Sequence, residues 1–385
     1  MSFSFGFSGS DYNDEIEYDA NVENISSLNK YTDNGTNNIQ SNFINPLDSD
    51  HLLKDPVVQA QIENYQQFLE SLKDVRLTFE KIYTPETKTE LFRRELFDIK
   101  HQLMTEYDTN SGENDANNLK LDILINEDLK KNVYEGGLKS WECSIDVVDS
   151  FAKKNHDQTL LPNLNFNKIK YIVELGCGTS LPTEYIFMQY LLQTNDSFAT
   201  PSNHGIHFIL ADYNSSVLRL ASLPNLIITW AMLTLSKDQW TDLQRCNDPN
   251  IPILDDELLL TNKLLDTFYN DMERRNVKIS LISGSWGRKF NQLLYTLIDV
   301  NSNEEILLIT SETIYQPENL PLISETLIDV HEKFLNQNHI LVAAKDIYFG
   351  VGGSILDFQK YLIDRNINFV TFKINAGLKR SIVYI

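Results

Sequence analysis

KYIVELGCGTS, residues 170–180, decides how the rest of the chain is read. A short apolar run gives way to two glycines a residue apart, and an apolar stretch from Pro182 to Leu192 then reads as a helix. That is the signature of a buried strand, a tight turn and a crossover helix. Working outward, the unit repeats. HFILAD (207–212) precedes a helix from Ser215, KISLIS (278–283) one from about Lys289 to Val300, ILLITSE (306–312) one from Pro317 to Leu335, and ILVAAK (340–345) one from Ile355 to Arg365. Strands that alternate with helices predict a parallel sheet. NFVTFKI (368–374) and KRSIVYI (379–385) are joined by four residues with no helix, which predicts an antiparallel hairpin at one edge. The expected fold is α/β, a Rossmann-like sheet of seven strands, mostly parallel with the last one antiparallel.

Other segments hang on this frame. About 65 residues separate Asp212 from the third strand, and 236–276 reads as a helical insertion. Residues 1–50 hold nine acids against one lysine and few aliphatic residues, the composition of a disordered acidic arm. Residues 51–135 read as a helical N-terminal extension. Val58, Ile62, Tyr65, Leu69 and Leu72 recur every three or four positions, a second helical stretch runs from Leu91 to Met104, 108–118 is a polar spacer, and mixed helix resumes over 119–135. Residues 136–385 make the sheet domain.

Composition narrows the class. Apolar residues are 42% and charged residues 23% of 385, the balance of a globular protein. The net charge of −21 speaks against direct binding of nucleic acid or an anionic membrane, and favours a basic partner. No uninterrupted run of about 20 apolar residues is present, so no membrane span is expected. The N-terminus has no basic and apolar leader, and three cysteines make no disulfide scaffold. A cytoplasmic protein, also able to be nuclear, is expected, and a monomer.

Ligands of open parallel sheets sit beyond the carboxyl ends of the strands. There the sequence places Glu174, then Gly176, Cys177, Gly178 and Thr179. The third glycine of a dinucleotide fingerprint is replaced by Leu181. Asp212 ends the second strand, where an acid can hold a ribose diol, while Asn214 or Ser215 caps the next helix. Gly284, Ser285 and Trp286 end the third, with the tryptophan suited to an adenine face. Ser311, Glu312 and Tyr315 follow the fourth, and Asp346 and Tyr348 the fifth. Before the first strand, GGLKSWECS (136–144) carries Trp141, a candidate pocket wall. No cysteine or histidine spacing predicts a metal site, and no phosphate loop or nucleophile elbow is present.

GGLKSWECS, VELGCGTSLP, DYNSSVL, SGSWGRKF, TSETIYQP and YFGVGG together, in this order, resemble the histidine protein methyltransferases. The resemblance is strong over 134–385 and reaches into the N-terminal third through SLKDVRLTFE and RRELFDIKHQLM. It implies a seven-strand class I methyltransferase fold and S-adenosylmethionine as cofactor. By resemblance, Gly176, Cys177 and Gly178 line the methionine part, Asp212 holds the ribose, and Gly284, Ser285 and Trp286 frame the adenine. Ser311 meets the methionine end and Trp141 closes the pocket. Glu174, Thr179 and Asn214 complete the candidate cofactor set. The family's implied acceptor is a histidine, at the tele nitrogen, and the branch most resembled acts on a large-subunit ribosomal protein.

The chemistry asks little of the protein. A histidine with an ordinary pKa near ~6.5 is mostly neutral at pH 7 and already nucleophilic. It needs in-line placement and a carboxylate on its other ring N–H. Glu312 and Asp346 are candidates for that carboxylate, with Tyr315 and Tyr348 as walls or hydrogen-bond partners. Scaffolding of the cofactor pocket is the alternative role for Glu312. A nicotinamide or flavin oxidoreductase, a lysine-directed methyltransferase and a non-enzymatic binding or assembly factor for a basic ribosomal protein are the competing readings.

Overall fold

The computed structural model describes residues 45–48, 58–109, 136–154, 164–194, 205–246, 248–299, 304–374 and 377–385. The acidic arm apart from 45–48, most of the polar spacer and the helix expected over 119–135 lie outside the described residues.

The central sheet follows the apolar runs. Its strands are β4 (Ile169–Leu175), β5 (Ile206–Asp212), β7 (Val277–Ser283), β8 (Glu305–Ser311), β9 (Asn338–Lys345), β10 (Val370–Ile374) and β11 (Arg380–Tyr384). They lie in the order β7-β5-β4-β8-β9-β11-β10. The first five are parallel, and among the seven β11 is the strand that runs in the reverse direction, antiparallel to both β9 and β10. The seven-strand Rossmann-like sheet is therefore as expected. An eighth, two-residue strand, β1 (Gln61–Ile62), adds antiparallel to β7 at the far edge.

Period-two alternation divides these strands between two cores. Ile172, Phe208 and Leu210 face one apolar cluster, while Val173, Ile209 and Ala211 face the other. The first cluster is closed by α3 (Glu142–Lys154), α4 (Leu181–Thr194), α5 (Ser215–Thr234, with a π-helical turn at Leu218–Ser222) and α7 (Asn262–Arg274). The second is closed by α8 (Arg288–Leu297), α9 (Leu320–Lys333) and α10 (Ile355–Asp364). By length and composition α5 is apolar enough to cross a membrane, but 78% of that stretch is buried in the fold, as in a core helix.

The N-terminal extension departs from expectation. It holds α1 (Tyr65–Ser71) and α2 (Leu96–Thr109), but also β2 (Arg76–Tyr83) and β3 (Glu90–Arg94). β2 buries Leu77 and Phe79 on alternate positions, a strand period that the helical spacing of the neighbouring apolar residues conceals. The 236–276 segment holds α6 (Lys237–Arg245), α7 and a short strand β6 (Glu257–Leu259). β6 pairs antiparallel with β2, so extension and insertion close one three-stranded sheet, β3-β2-β6. Phe79 meets Phe92 and Trp240 edge to face inside it. Glu184 of α4 ties this sheet to the core by accepting the Phe92 amide at 2.7 Å. Arg380 is buried on the inner strand β11 and paired with Asp146 of α3.

Candidate active site

The chain folds its strand ends into one cleft. Gly176 and Gly178 take left-handed backbone angles, φ +61° and +52°, which bend the chain back over β4. The bend is pinned by Cys177 N donating to Ala211 O at 2.9 Å and Gly178 N donating to Asp212 Oδ2 at 3.1 Å. A Cβ on Gly176 would stand 2.6 Å from Thr313 Cγ2 and reach toward Trp286, so the space beside this loop is kept open by the lack of a side chain. Gly284, φ +103°, is pressed against the backbone of Gln59 and Ala60, and Ser285 N donates to Val58 O at 2.9 Å. The segment leading into β1 thus holds the Gly284–Trp286 turn in place.

The resulting cleft spans about 970 Å³ when the solvent at its open mouth is counted. Of the candidate cofactor residues it brings together Trp141, Gly176, Cys177, Gly178, Thr179, Asp212, Gly284, Ser285, Trp286 and Ser311, together with Glu312 and Tyr315 from the catalytic set. The donor set suits S-adenosylmethionine. Asp212 is buried in the lining of the cleft, where its carboxylate accepts the Gly178 and Asn214 amides. Ser285 Oγ is buried there without a protein partner, a polar atom that asks for one. Trp141 anchors its indole by donating Nε1–H to Gly136 O at 3.2 Å.

Three expectations need correction. Glu174 does not line the cleft. It is fully buried behind the glycine loop, where Oε2 accepts the amide and hydroxyl of Thr183, and burial raises its carboxyl to about 8 against those two donors. Asn214 does not line the cleft either; it sits at the N-cap position of α5 and gives its backbone amide to Asp212 Oδ1 at 3.1 Å. Asp346 accepts from Ser381 and Lys373 instead. Successive residues of an extended chain face opposite ways; Lys345 turns to the cleft side, and Asp346 away from it.

Glu312 also lines the cleft, with φ +58°, a backbone angle that disfavours any residue with a side chain. Its side chain is only 7% exposed. Oε1 accepts the Cys143 amide at 3.3 Å, and Oε2 accepts the Tyr348 hydroxyl at 2.5 Å. Burial, with the Glu312 charge, pushes the Tyr348 phenol far up, so it stays a donor. Tyr315 lies edge-on to Tyr348, ring centres 6.3 Å apart, and lines the cleft beside Glu312. Lys345 reaches the same carboxylate at 3.9 Å and Glu142 at 3.1 Å. Burial alone would lower its ammonium, but the Glu312 charge and the Glu142 hydrogen bond raise it.

Sequence reasoning missed Lys345 and the Cys143 amide, since nothing local marks residues so distant in the chain as neighbours of Glu312. It also missed Asn319 and Leu322, which line the cleft from the first turn of α9. The break between the ILLITSE strand and the following helix was the available signal.

No protein-family model matches the chain. Among solved structures, a human methyltransferase 10 domain containing protein overlays 64% of this chain and 83% of its own with a TM-score of 0.31 at 7% identity, too loose a likeness to argue from. Curated relatives are much nearer. Histidine protein methyltransferase 1 of Saccharomyces cerevisiae is 48% identical over 394 aligned residues, covering 100% of this chain and 98% of its own. The protein of the same name from Schizosaccharomyces pombe is 31% identical over 76% of each chain. A rat homolog is 30% identical over 66% of this chain and 58% of its own. Sharing nearly half its residues with one such protein from end to end, and keeping that kinship at lower identity in more distant species, the chain belongs to the histidine protein methyltransferase family.

Proposed function

We propose that the chain transfers a methyl group from S-adenosylmethionine to the tele nitrogen of a histidine in a basic protein, a large-subunit ribosomal protein. The observation that carries the reading is the presence of two carboxylates in the lining of one cleft, Asp212 at the end of β5 and Glu312 just beyond β8, with β4 between the two strands. When bound, the cofactor supplies a methyl carbon already activated by its sulfonium. Asp212 accepts from the ribose hydroxyls, and Trp286 and Ser285 frame the base. The open face of Gly176 leaves room for the amino-acid end. Trp141 walls the cleft and excludes water.

At the acceptor end, Glu312 accepts the Nδ1–H of the incoming imidazole. That leaves the lone pair on Nε2 to attack, and opposes the positive charge that grows on the ring. The Tyr348 hydroxyl and the Cys143 amide hold the carboxylate still. Tyr315 lines the same end of the cleft and limits the tilt of the ring. Correct placement is the main source of rate, since positioning can supply roughly 7–11 kcal/mol at best. The net charge of −21 supports a basic partner, because opposite charge speeds encounter.

Incubation with labelled S-adenosylmethionine and extract of cells lacking this protein, followed by hydrolysis and amino-acid analysis, tests the reading. Label in tele-methylhistidine of a large-subunit protein is expected. Label in lysine or arginine overturns the acceptor, and label on a non-ribosomal protein overturns the substrate.

A further inference from the structure

Lys345, the last residue of β9, places its ammonium among four side chains, those of the adjacent Trp141 and Glu142, of Glu312 and of Tyr348. Glu142 Oε2 of α3 lies 3.1 Å away and Glu312 Oε1 3.9 Å away. The Trp141 ring centre lies at 5.5 Å and that of Tyr348 at 6.0 Å. The side chain is 17% exposed. An ammonium between two aromatic faces and two carboxylates is held far more firmly than a surface lysine. We infer that Lys345 is a positioning residue for methyl transfer, holding the Glu312 carboxylate in place and tying it to the Trp141 wall of the cleft.

This rests on the reading of Glu312 as the acceptor-site carboxylate. The physical need is plain. Glu312 occupies a left-handed backbone conformation, so local preference does not fix its side chain; its partners must. Tyr348 and the Cys143 amide hold it from two sides. Without Lys345, Glu142 would face the same region with no cation between them. A carboxylate that drifts by about 1 Å no longer meets an imidazole N–H, and misplacement on that scale costs about a hundredfold in rate. Trp141, which also carries Lys139 Nζ at 5.7 Å from its ring centre, would lose one of its two cationic contacts.

The test uses the full-length protein and the protein substrate identified by labelling. Lys345→Met and Lys345→Gln should each lower the single-turnover rate by about ten- to a hundredfold, with substrate KM and S-adenosylhomocysteine affinity within about threefold of wild type. Lys345→Arg should recover most of the rate. Should one of the two neutral variants fail to fold, the other carries the comparison, and melting temperatures show which. Full activity in a folded neutral variant overturns the inference. So does a loss that falls on KM or on cofactor affinity, or one that arginine does not rescue. Glu312→Gln separates the two levels. If it keeps full activity, the Glu312 reading fails; if it is inactive while the neutral Lys345 variants are not, only the inference about Lys345 fails.

Discussion

Replacing Glu184 by glutamine should flatten the dependence of stability on pH. Glu184 stands in the first turn of α4, 1% exposed, with Oε1 accepting from the Phe92 amide at 2.7 Å and the Thr229 hydroxyl at 2.8 Å. Burial lifts its carboxyl from 4.5 to about 8, against those two donors and the Arg93 charge. In the unfolded chain the same group titrates near ~4.3. Below that pH both states hold the proton, and the stabilisation is fully present. Above it the folded state alone keeps the proton, so stability falls with rising pH by about 1.4 kcal/mol per unit until the folded group also ionises. Across the interval the loss is on the order of 5 kcal/mol. Glutamine keeps an oxygen for both donors and has no proton to lose. Its amide nitrogen falls where Oε2 is buried without a partner, a cost of about 1–3 kcal/mol that does not vary with pH. Urea unfolding of both proteins from pH 5 to 9 measures the difference, in which other titrating groups such as Glu174 cancel. The variant should be the weaker at pH 5 and gain steadily on the wild type toward pH 8. A difference that stays constant with pH, or that moves the other way, refutes the argument.

Three further outcomes are expected at the cleft. Asp212→Asn should raise the Kd for S-adenosylhomocysteine about ten- to a hundredfold, the worth of charge-assisted hydrogen bonds of about 1.5–3 kcal/mol, and unchanged calorimetric affinity would remove its ribose role. Gly176→Ala forces a side chain into left-handed backbone at a cost of about 1–2 kcal/mol and against Thr313 Cγ2; the melting temperature and cofactor affinity should both drop, and adding Thr313→Ser should restore part of the loss. A double variant no better than the single one would show that the contact is not the cause. Tyr348→Phe removes only the hydroxyl that Glu312 accepts and should lower kcat about tenfold or more with KM unchanged, whereas wild-type turnover would separate Tyr348 from the reaction.

The central sheet was legible because strands buried on both faces appear as unbroken apolar runs, and because each ends at a glycine, an acid or a polar turn. The cleft was legible for the same reason, since strand ends lie side by side in any parallel sheet. The small sheet was not. β3 and β6 are short, and Leu69, Leu72, Leu91 and Phe92 happen to stand at spacings that suit a helix as well; only Leu77 and Phe79 of β2 carried the period of a strand. Of the acids at strand ends, two line the cleft and two do not. Glu174 and Asp212 lie on the same face by register, but Glu174 sits one step deeper along its strand and is taken up by Thr183, and Asp346 is taken up by Ser381 and Lys373, while Asp212 and Glu312 line the cleft. The surroundings of Glu312 are purely tertiary. Cys143, Lys345 and Tyr348 meet there because α3 packs across the end of β9, and no local pattern announces that.

The seating of β11 between β9 and β10 has a consequence for how the molecule is made. β10 leaves the ribosome before β11, yet among the described residues its sheet partner is β11. Until that last hairpin folds back, the Leu341–Lys345 edge of β9 presents open amides and carbonyls along an apolar strand. Such an edge is a template for pairing with another chain. A newly synthesised molecule is thus most exposed to misassembly in the interval before its final strand slots in, and variants that slow the closing of this hairpin should surface first as aggregation during expression.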